Sequence, residues 1–399
     1  MDSLFANVAV PYTTAARENL GRLKNLYAYG LSAADSLDRR EQALLHTLSG
    51  AGREPFASWQ DDDEAFLYCC AVLLESMRTA NSAHSNVKLA DSIHKLFDSL
   101  REVPTEIAIG GLRALLWCGE AAIHKIDPDT SLPAFWQSYS DSGVALRLSQ
   151  INQALAEPCS ELRASVYDYA SRNRLAIRTS KPDQEDTRLR LAVLRQQWIA
   201  GTLSSRQLLK FLRDDQSYST LAMRAALGDE SLPNLLAYRI EHDAARILPL
   251  AALTGSRAGA ELLLEALANP RFSRFAESGW QLVSGRRLVL QPQMRLAGSG
   301  RRPDKPAQVG YIADFQQAKR WWREYSCLFD EHPTGVLLGE PLNDRTMLRT
   351  LFGYGGWLIN HLLEVALLRL GWKTAGLSAE QPCYRRRAKL REMSATCLN

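Results

Sequence analysis

The sequence predicts an all-α protein, an α-solenoid of stacked helix pairs held between an N-terminal helical region and a C-terminal helical cap. Three observations carry this prediction. Apolar residues recur at helical spacing along most of the chain, and alternation of period two is rare. Gly201, Gly228, Gly255 and Gly285 are spaced 27, 27 and 30 residues apart, and each closes an apolar helical run. No other regularity of the chain competes with this one, and at 46% hydrophobic and 23% charged residues the composition is that of a globular protein rather than a disordered or collagen-like one.

Residues 1–103 read as the N-terminal helical region. Leu20, Leu23, Leu26 and Tyr27 form one stripe of a helix over Arg17–Tyr29, and a second helix runs from Asp38 to Leu48, with Ser32 and Asp35 as caps. A further pair is expected at Asp63–Thr79 and Val87–Leu100. Asp61, Asp62, Asp63 and Glu64 open the first of these, where negative charge meets the positive end of the helix dipole.

Residues 104–290 carry the repeat. Seven and eight residues after the first three glycines come Leu208 and Leu209, Leu235 and Leu236, Leu262 and Leu263; twenty residues after them come Leu221, Leu248 and Phe275. Each unit therefore reads as a glycine turn, a first helix with a double-leucine contact, a short polar turn, and a second helix with a small-residue face around Ala225 and Ala252. Helices of about ten residues cannot bury an apolar stripe alone, so successive pairs must stack, as in a HEAT-like array.

Gln291–Gly310, with three Pro, three Gly and a basic balance, reads as a surface loop. Residues 311–375 form the expected C-terminal cap. It holds a helix over Ala313–Phe329 with Trp321, Trp322 and Tyr325, a turn-rich passage from His332 to Leu342, a helix capped by Asn343 and running to about Phe352, and an apolar helix from Gly356 to Leu370 that ends at Gly371. Residues 376–399 read as a frayed basic tail. Arg385, Arg386, Arg387, Lys389 and Arg391 against Glu392 account for the whole net charge of +4.

That balance argues against a nucleic-acid-binding body, which would show a basic face rather than a basic end. No basic residue precedes Arg17, so no signal-peptide pattern is expected, and Leu351–Leu363 falls short of the roughly 20 apolar residues that cross a bilayer. Seven scattered cysteines suit reduced thiols, which points to the cytoplasm. Chemical motifs are weak. Gly353-Tyr354-Gly355-Gly356 has neither the Lys-Ser/Thr nor the preceding strand of a phosphate loop and reads as a corner between helices. The histidines include no pair at ligand spacing, the cysteines no Cys-x-x-Cys, and no cofactor or metal is expected. Cys69 and Cys70 lie mid-helix in apolar surroundings; Cys118 with His124, and His361 with Glu364, are the remaining enzymatic candidates.

Arginine outnumbers lysine 38 to 10, a composition that suits protein partners. Candidate partner-binding residues are Arg224, Arg239, Arg246 and Arg257 on the second helices and turns, Arg301 and Arg302 in the basic loop, and Trp321, Trp322 and Arg323, where adjacent tryptophans cannot share one narrow buried stripe.

Three stretches carry a resemblance. Asp314–Trp322, Val336–Asp344 and Leu358–Leu370 resemble the end of an uncharacterised family of bacterial HEAT-like helical-repeat proteins whose genes often lie beside type VI secretion genes; Ala15–Leu48 is similar to its opening helical hairpin and Gly111–Gly119 to the helix that begins its repeats. The resemblance implies context and no catalytic residue. The expected function is a non-enzymatic scaffold that binds a secreted effector or the secretion spike, as an effector adaptor or chaperone. The alternatives are an immunity protein that binds and blocks a toxin and, in another class, an enzyme on a helical-repeat scaffold.

Overall fold

The computed structural model describes residues 2–28, 31–53, 56, 61–79, 94–96, 98–118, 132–179, 186–293 and 310–397, and for residues 2–11, 78, 79, 105, 106, 118, 293, 310 and 395–397 the backbone alone. The expected helix at Val87–Leu100 falls mostly outside this set, as do His124, Arg301 and Arg302.

The described chain is predominantly helical. In order, its elements are α1 Asp2–Tyr27, β1 Ser32–Ala33, α2 Ala34–Ala51, α3 Asp62–Thr79, α4 Thr105–Cys118, α5 Pro133–Ser142, α6 Leu148–Ala156, α7 Ser160–Arg172, α8 Thr187–Ile199, α9 Ser205–Leu212, α10 Tyr218–Ala226, α11 Leu232–Ala237, α12 Ile240–Leu253, α13 Arg257–Ala268, α14 Ser273–Ser284, β2 Leu290–Gln293, β3 Gly310–Ala313, α15 Phe315–Tyr325, α16 Leu328–Glu331, β4 Val336–Leu337, β5 Glu340–Pro341, α17 Asp344–Gly353, β6 Tyr354–Gly355, α18 Leu358–Arg369 and α19 Cys383–Cys397. The strands form three two-stranded antiparallel ladders, β1 with β6, β2 with β3 and β4 with β5. No helix among the described residues is long and apolar enough to cross a membrane.

Two compact units result. The first comprises Met1–Leu208, Leu351–Leu363 and Gly371–Asn399; the second comprises Leu209–Thr350 and Glu364–Leu370. In the first, α1 packs on α2, α2 on α3, α3 on α4, α4 on α5, α5 on α7 and α7 on α8. Its core is aromatic at two points, with Phe66 edge-on to Trp117 at 5.3 Å and Trp136 edge-on to Tyr169 at 5.4 Å. Cys69 and Cys70 are buried in α3.

Of the four glycines that end helical runs, Gly228, Gly255 and Gly285 lie in the second unit and Gly201 in the first. Gly201, Gly228, Gly255 and Gly285 follow α8, α10, α12 and α14, and all four adopt the left-handed backbone, φ 73°, 75°, 64° and 70°, that lets a chain leave a helix sharply. The second helices pack in sequence, α10 on α12 and α12 on α14, and the first helices α11 and α13 pack on each other. Leu236 and Leu263 are fully buried, as are Leu221 and Leu248; Leu209 and Leu235 are half-buried. Arg369 of α18 ties the ends of two second helices: its guanidinium donates to the Thr254 carbonyl at 3.1 Å, and a Cβ on Gly228 would lie 3.1 Å from its Cζ. A cation at helix C-termini is favourable, although burial lowers Arg369 to about 10.

Four expectations are corrected. Helix α2 starts at Ala34, four residues before Asp38, and Ser32 is no cap; it pairs opposite Gly355, and its hydroxyl donates to the Leu26 carbonyl at 2.8 Å. Gly353–Gly356 is accordingly not a simple helix corner, because Tyr354 and Gly355 form a strand pressed so closely on α2 that a Cβ at Gly355 would lie 2.2 Å from Leu37 Cδ1. The ends of Gln291–Gly310 are paired strands rather than loop. The tail is not frayed: Cys383–Cys397 is helical, Glu41 of α2 accepts from Cys383 N, and Arg386 is fully buried with the Tyr354 carbonyl as an acceptor.

Leu236→Ala and Leu263→Ala are each expected to lower the unfolding free energy by roughly 2 to 5 kcal/mol, and Leu235→Ala by clearly less, as read from urea titrations. Equal losses at Leu235 and Leu236 would contradict the burial described.

Candidate functional site

The nine residues singled out for partner binding separate by burial. Arg224 and Trp321 are buried, a correction to the surface role expected of them. Every residue of Thr220–Ala226 is buried, so the only outlets for the Arg224 guanidinium are internal: Nε donates to Asp229 Oδ2 at 2.8 Å and Nη2 to Ser231 Oγ at 3.5 Å. Asp229 is pushed up by burial, and the hydrogen bonds from Ser231 and Arg224 outweigh that and hold it below the usual carboxylate range. Trp321 lies edge-on to Trp280 at 5.5 Å and stacked on Tyr325 at 5.3 Å.

Arg257 and Trp322 come together. Asp314 caps α15, its side chain accepting from Gln317 N at 3.0 Å, and this sets the helix rotation that buries Ala318 and Trp321 and leaves Trp322 half-buried on the next position. Its ring meets Phe329 at 5.4 Å, and the Arg257 guanidinium lies 5.8 Å from its centroid. Arg257 is held by Asp330 at 2.5 Å and Glu261 at 3.1 Å, and Arg323 beside them is exposed. Arg246 is exposed, 5.7 Å from the Tyr218 ring, and Arg239 is half-buried with Nη1 donating to Gln216 O at 2.6 Å. Arg301 and Arg302 lie outside the described residues.

Sequence reasoning passed over a buried ionisable cluster in the first unit. The buried stripe of α2 reads Leu37, Glu41, Leu44, Leu48, so a carboxylate occupies a core position; Cys383, Arg386 and Leu390 place an arginine likewise in α19. A charged residue in an apolar register was the available signal. Glu41 Oε1 accepts from Tyr27 Oη at 2.6 Å and Oε2 from Cys383 N at 2.8 Å. Arg386 Nη2 donates to Tyr354 O at 2.8 Å and to Cys383 Sγ at 3.3 Å. Arg387 reaches Asp38 at 2.6 Å, Asp35 at 2.7 Å and Phe352 O at 2.9 Å.

Burial pushes the Glu41 carboxyl up to about 7; the hydrogen bonds from Tyr27 and Cys383 pull against it, Asp38 adds to it and Arg386 opposes it. Burial likewise pushes the Cys383 thiol up to about 12, against the pull of Arg386. A thiol so raised is protonated and is no nucleophile at neutral pH. Ligand atoms of Asp38, Glu41 and Cys383 lie within 4.8 Å of one another, yet both Glu41 oxygens already accept hydrogen bonds and two guanidiniums supply the local positive charge, so the donor set fits a structural charge network better than a cation site. His361 is held neutral, burial lowering it to about 4, and lies edge-on to Trp357 at 5.5 Å.

A second polar junction anchors the segment before α19. Asp141 accepts from Arg172 at 2.5 Å, Gln381 Nε2 donates to the Asp141 carbonyl at 2.7 Å, and Trp117 Nε1 donates to Glu380 O at 3.0 Å.

No family model, curated protein or solved structure matches the chain.

Because the folded state holds Glu41 near 7 against an ordinary value of 4.5, it favours the neutral acid. The stability this contributes is full below about pH 4.5 and is lost as pH rises through about 7, a loss of up to about 3 kcal/mol for a fully buried group. Glu41→Gln should flatten this dependence and be the more stable chain at about pH 8. Urea titrations from about pH 5 to about pH 8 check it; parallel curves for the two chains would contradict the assignment.

Proposed function

We propose that the chain is a non-enzymatic protein-binding scaffold, whose helix pairs between Gly201 and Gly285 stack as a HEAT-like α-solenoid and whose partner docks on the surface built around Trp322. Two observations support the stacking: the left-handed glycine after each pair, and the sequential packing of α10, α12 and α14 beside that of α11 and α13. The observation that carries the binding reading is the pair Arg257–Trp322. A half-buried indole beneath an arginine held by two carboxylates is ordered before any partner arrives, which reduces the entropy lost on association. Tryptophan and arginine are the residues on which interface energy concentrates.

The context implied by the resemblance of Asp314–Trp322, Val336–Asp344 and Leu358–Leu370 completes the reading: a cytoplasmic effector adaptor or chaperone of type VI secretion, with a secreted effector or the spike as partner. The Glu41–Cys383–Arg386 cluster supports a non-catalytic role, since its thiol is protonated and its carboxylate is already engaged twice.

Co-purification with the products of neighbouring genes, followed by titration of the partner so found, tests this. Trp322→Ala is expected to weaken binding by about thirtyfold, the scale of a hot-spot residue, and Arg323→Glu by less, with melting temperatures unchanged for Arg323→Glu. Full affinity in both would move the partner off this surface.

A further inference from the structure

Helix α15 carries uncompensated charge beside the indole of the proposed docking surface. Its 11 residues include the cations Lys319, Arg320 and Arg323 and a single carboxylate, Glu324. Glu324 is already taken, lying with Arg286 at Tyr325. Among the described residues no carboxylate comes within ion-pair distance of the three cations. Lys319 Nζ lies 5.9 Å from the Phe315 ring centroid, a contact that supplies no net counter-charge. Arg271 and Arg349 of the same unit show ordinary surface neutralisation, meeting Glu241 at 3.0 Å and Glu340 at 2.6 Å.

Spacing puts these cations on one face next to Trp322. At about 100° per residue, the buried pair Ala318 and Trp321 fixes the inner side of α15, and around the outside follow Trp322, Lys319, Arg323 and Arg320 in that order. Arg320 and Arg323 are exposed, and Lys319 and Trp322 are half-buried. Arg323 stands four residues from Lys319 and three from Arg320, where like charges repel across a helix surface. A face that keeps an aromatic anchor and unrelieved positive charge side by side favours an anionic partner, whose charges remove that repulsion as it docks.

The other flank of the ring decides which anion. Asp330, which holds Arg257, and Glu331 are exposed on α16, next to the Phe329 that meets the Trp322 ring. A nucleic-acid duplex, with a charge about every 1.7 Å, or an anionic bilayer would bring its charges against those two carboxylates as well as against the cations. A protein segment can carry an apolar side chain to the ring and keep its few carboxylates to one side of it.

We propose that the partner of the Trp322 surface is an acidic protein segment, which sets an apolar side chain against Trp322 and its carboxylates against Lys319, Arg323 and Arg320. This inference rests on the scaffold reading and adds the partner's chemistry to it.

The test titrates the full chain with a labelled helical peptide carrying leucines on one face and glutamates beside them, and with counterparts in which Gln or Lys replaces every Glu. Saturable binding of the Glu peptide is expected, at least about tenfold tighter than that of the Gln peptide and weakening about tenfold between low and moderately high salt, with no binding of the Lys peptide. Arg320→Glu with Arg323→Glu should reverse the preference, so that the Lys peptide binds and the Glu peptide does not. If that chain melts early, Arg320→Gln with Arg323→Gln provides the second measure and should weaken the Glu peptide about tenfold and flatten its salt dependence. Absence of saturable binding, equal affinity for the Glu and Gln peptides, or an unchanged preference in the variants would overturn the proposal. The two readings fail differently. Glu and Gln peptides that bind alike and are both lost in Trp322→Ala overturn the acidic partner and leave the docking surface in place, whereas Glu-peptide binding that ignores Trp322→Ala overturns the Trp322 surface and this inference with it. Tighter binding of anionic lipid vesicles or duplex DNA than of the Glu peptide would also overturn the proposal.

Discussion

A helix of four to fourteen residues presents one apolar stripe and cannot close a core by itself, and the second unit is built largely of such helices. In this unit α10 packs on α12, α12 on α14 and α11 on α13, and the chain turns within a few residues after α10, α12 and α14. Left-handed glycines allow that turning at 228, 255 and 285. Its consequences reach the polar residues. A helix covered by neighbours on several sides, as α10 is, carries Arg224 into the interior, where Asp229 and Ser231 become part of the packing rather than of the surface.

The first unit solves a different problem, that of holding a basic C-terminal helix. Two of its charged side chains occupy core registers, Glu41 in α2 and Arg386 in α19. Burying either alone would cost several kcal/mol, and removing one partner of such a network is more damaging than never having had it. Here each group is met by the backbone of the opposite element: Cys383 N serves Glu41, and Tyr354 O serves Arg386. The arrangement specifies where α19 docks, since a shift by one turn would leave a carboxylate and a guanidinium stranded. It also keeps the Cys383 thiol protonated, since burial and the neighbouring Glu41 both raise it.

At Trp322 the sequence preference for an exposed aromatic beside arginine is realised because Trp321, one residue earlier, takes the core position against Trp280. On the β2–β3 ribbon, apolar residues are exposed because a two-stranded element has only one neighbour per strand and its base alone is covered. Both are features of local geometry.

Helical class, the Asn343 cap and the glycines that end helices were legible in the sequence, because each depends on groups a few residues apart: Asn343 Oδ1 accepts from Thr346 N at 2.9 Å, as its spacing suggests. The short strands were not, since Ser32 and Gly355 pair across most of the chain and neither stretch alternates long enough to announce a strand. Nor was the order of the C-terminal helix. The groups that hold it, Glu41 for Cys383 and Asp38 for Arg387, are 342 and 349 residues away, and a run of arginines in sequence looks the same whether water or protein solvates it. Local spacing determined the helices and their turns by itself; which charges lie inside was decided only by the tertiary structure, because the free energy of burying a charge depends on partners that the chain brings close only by folding.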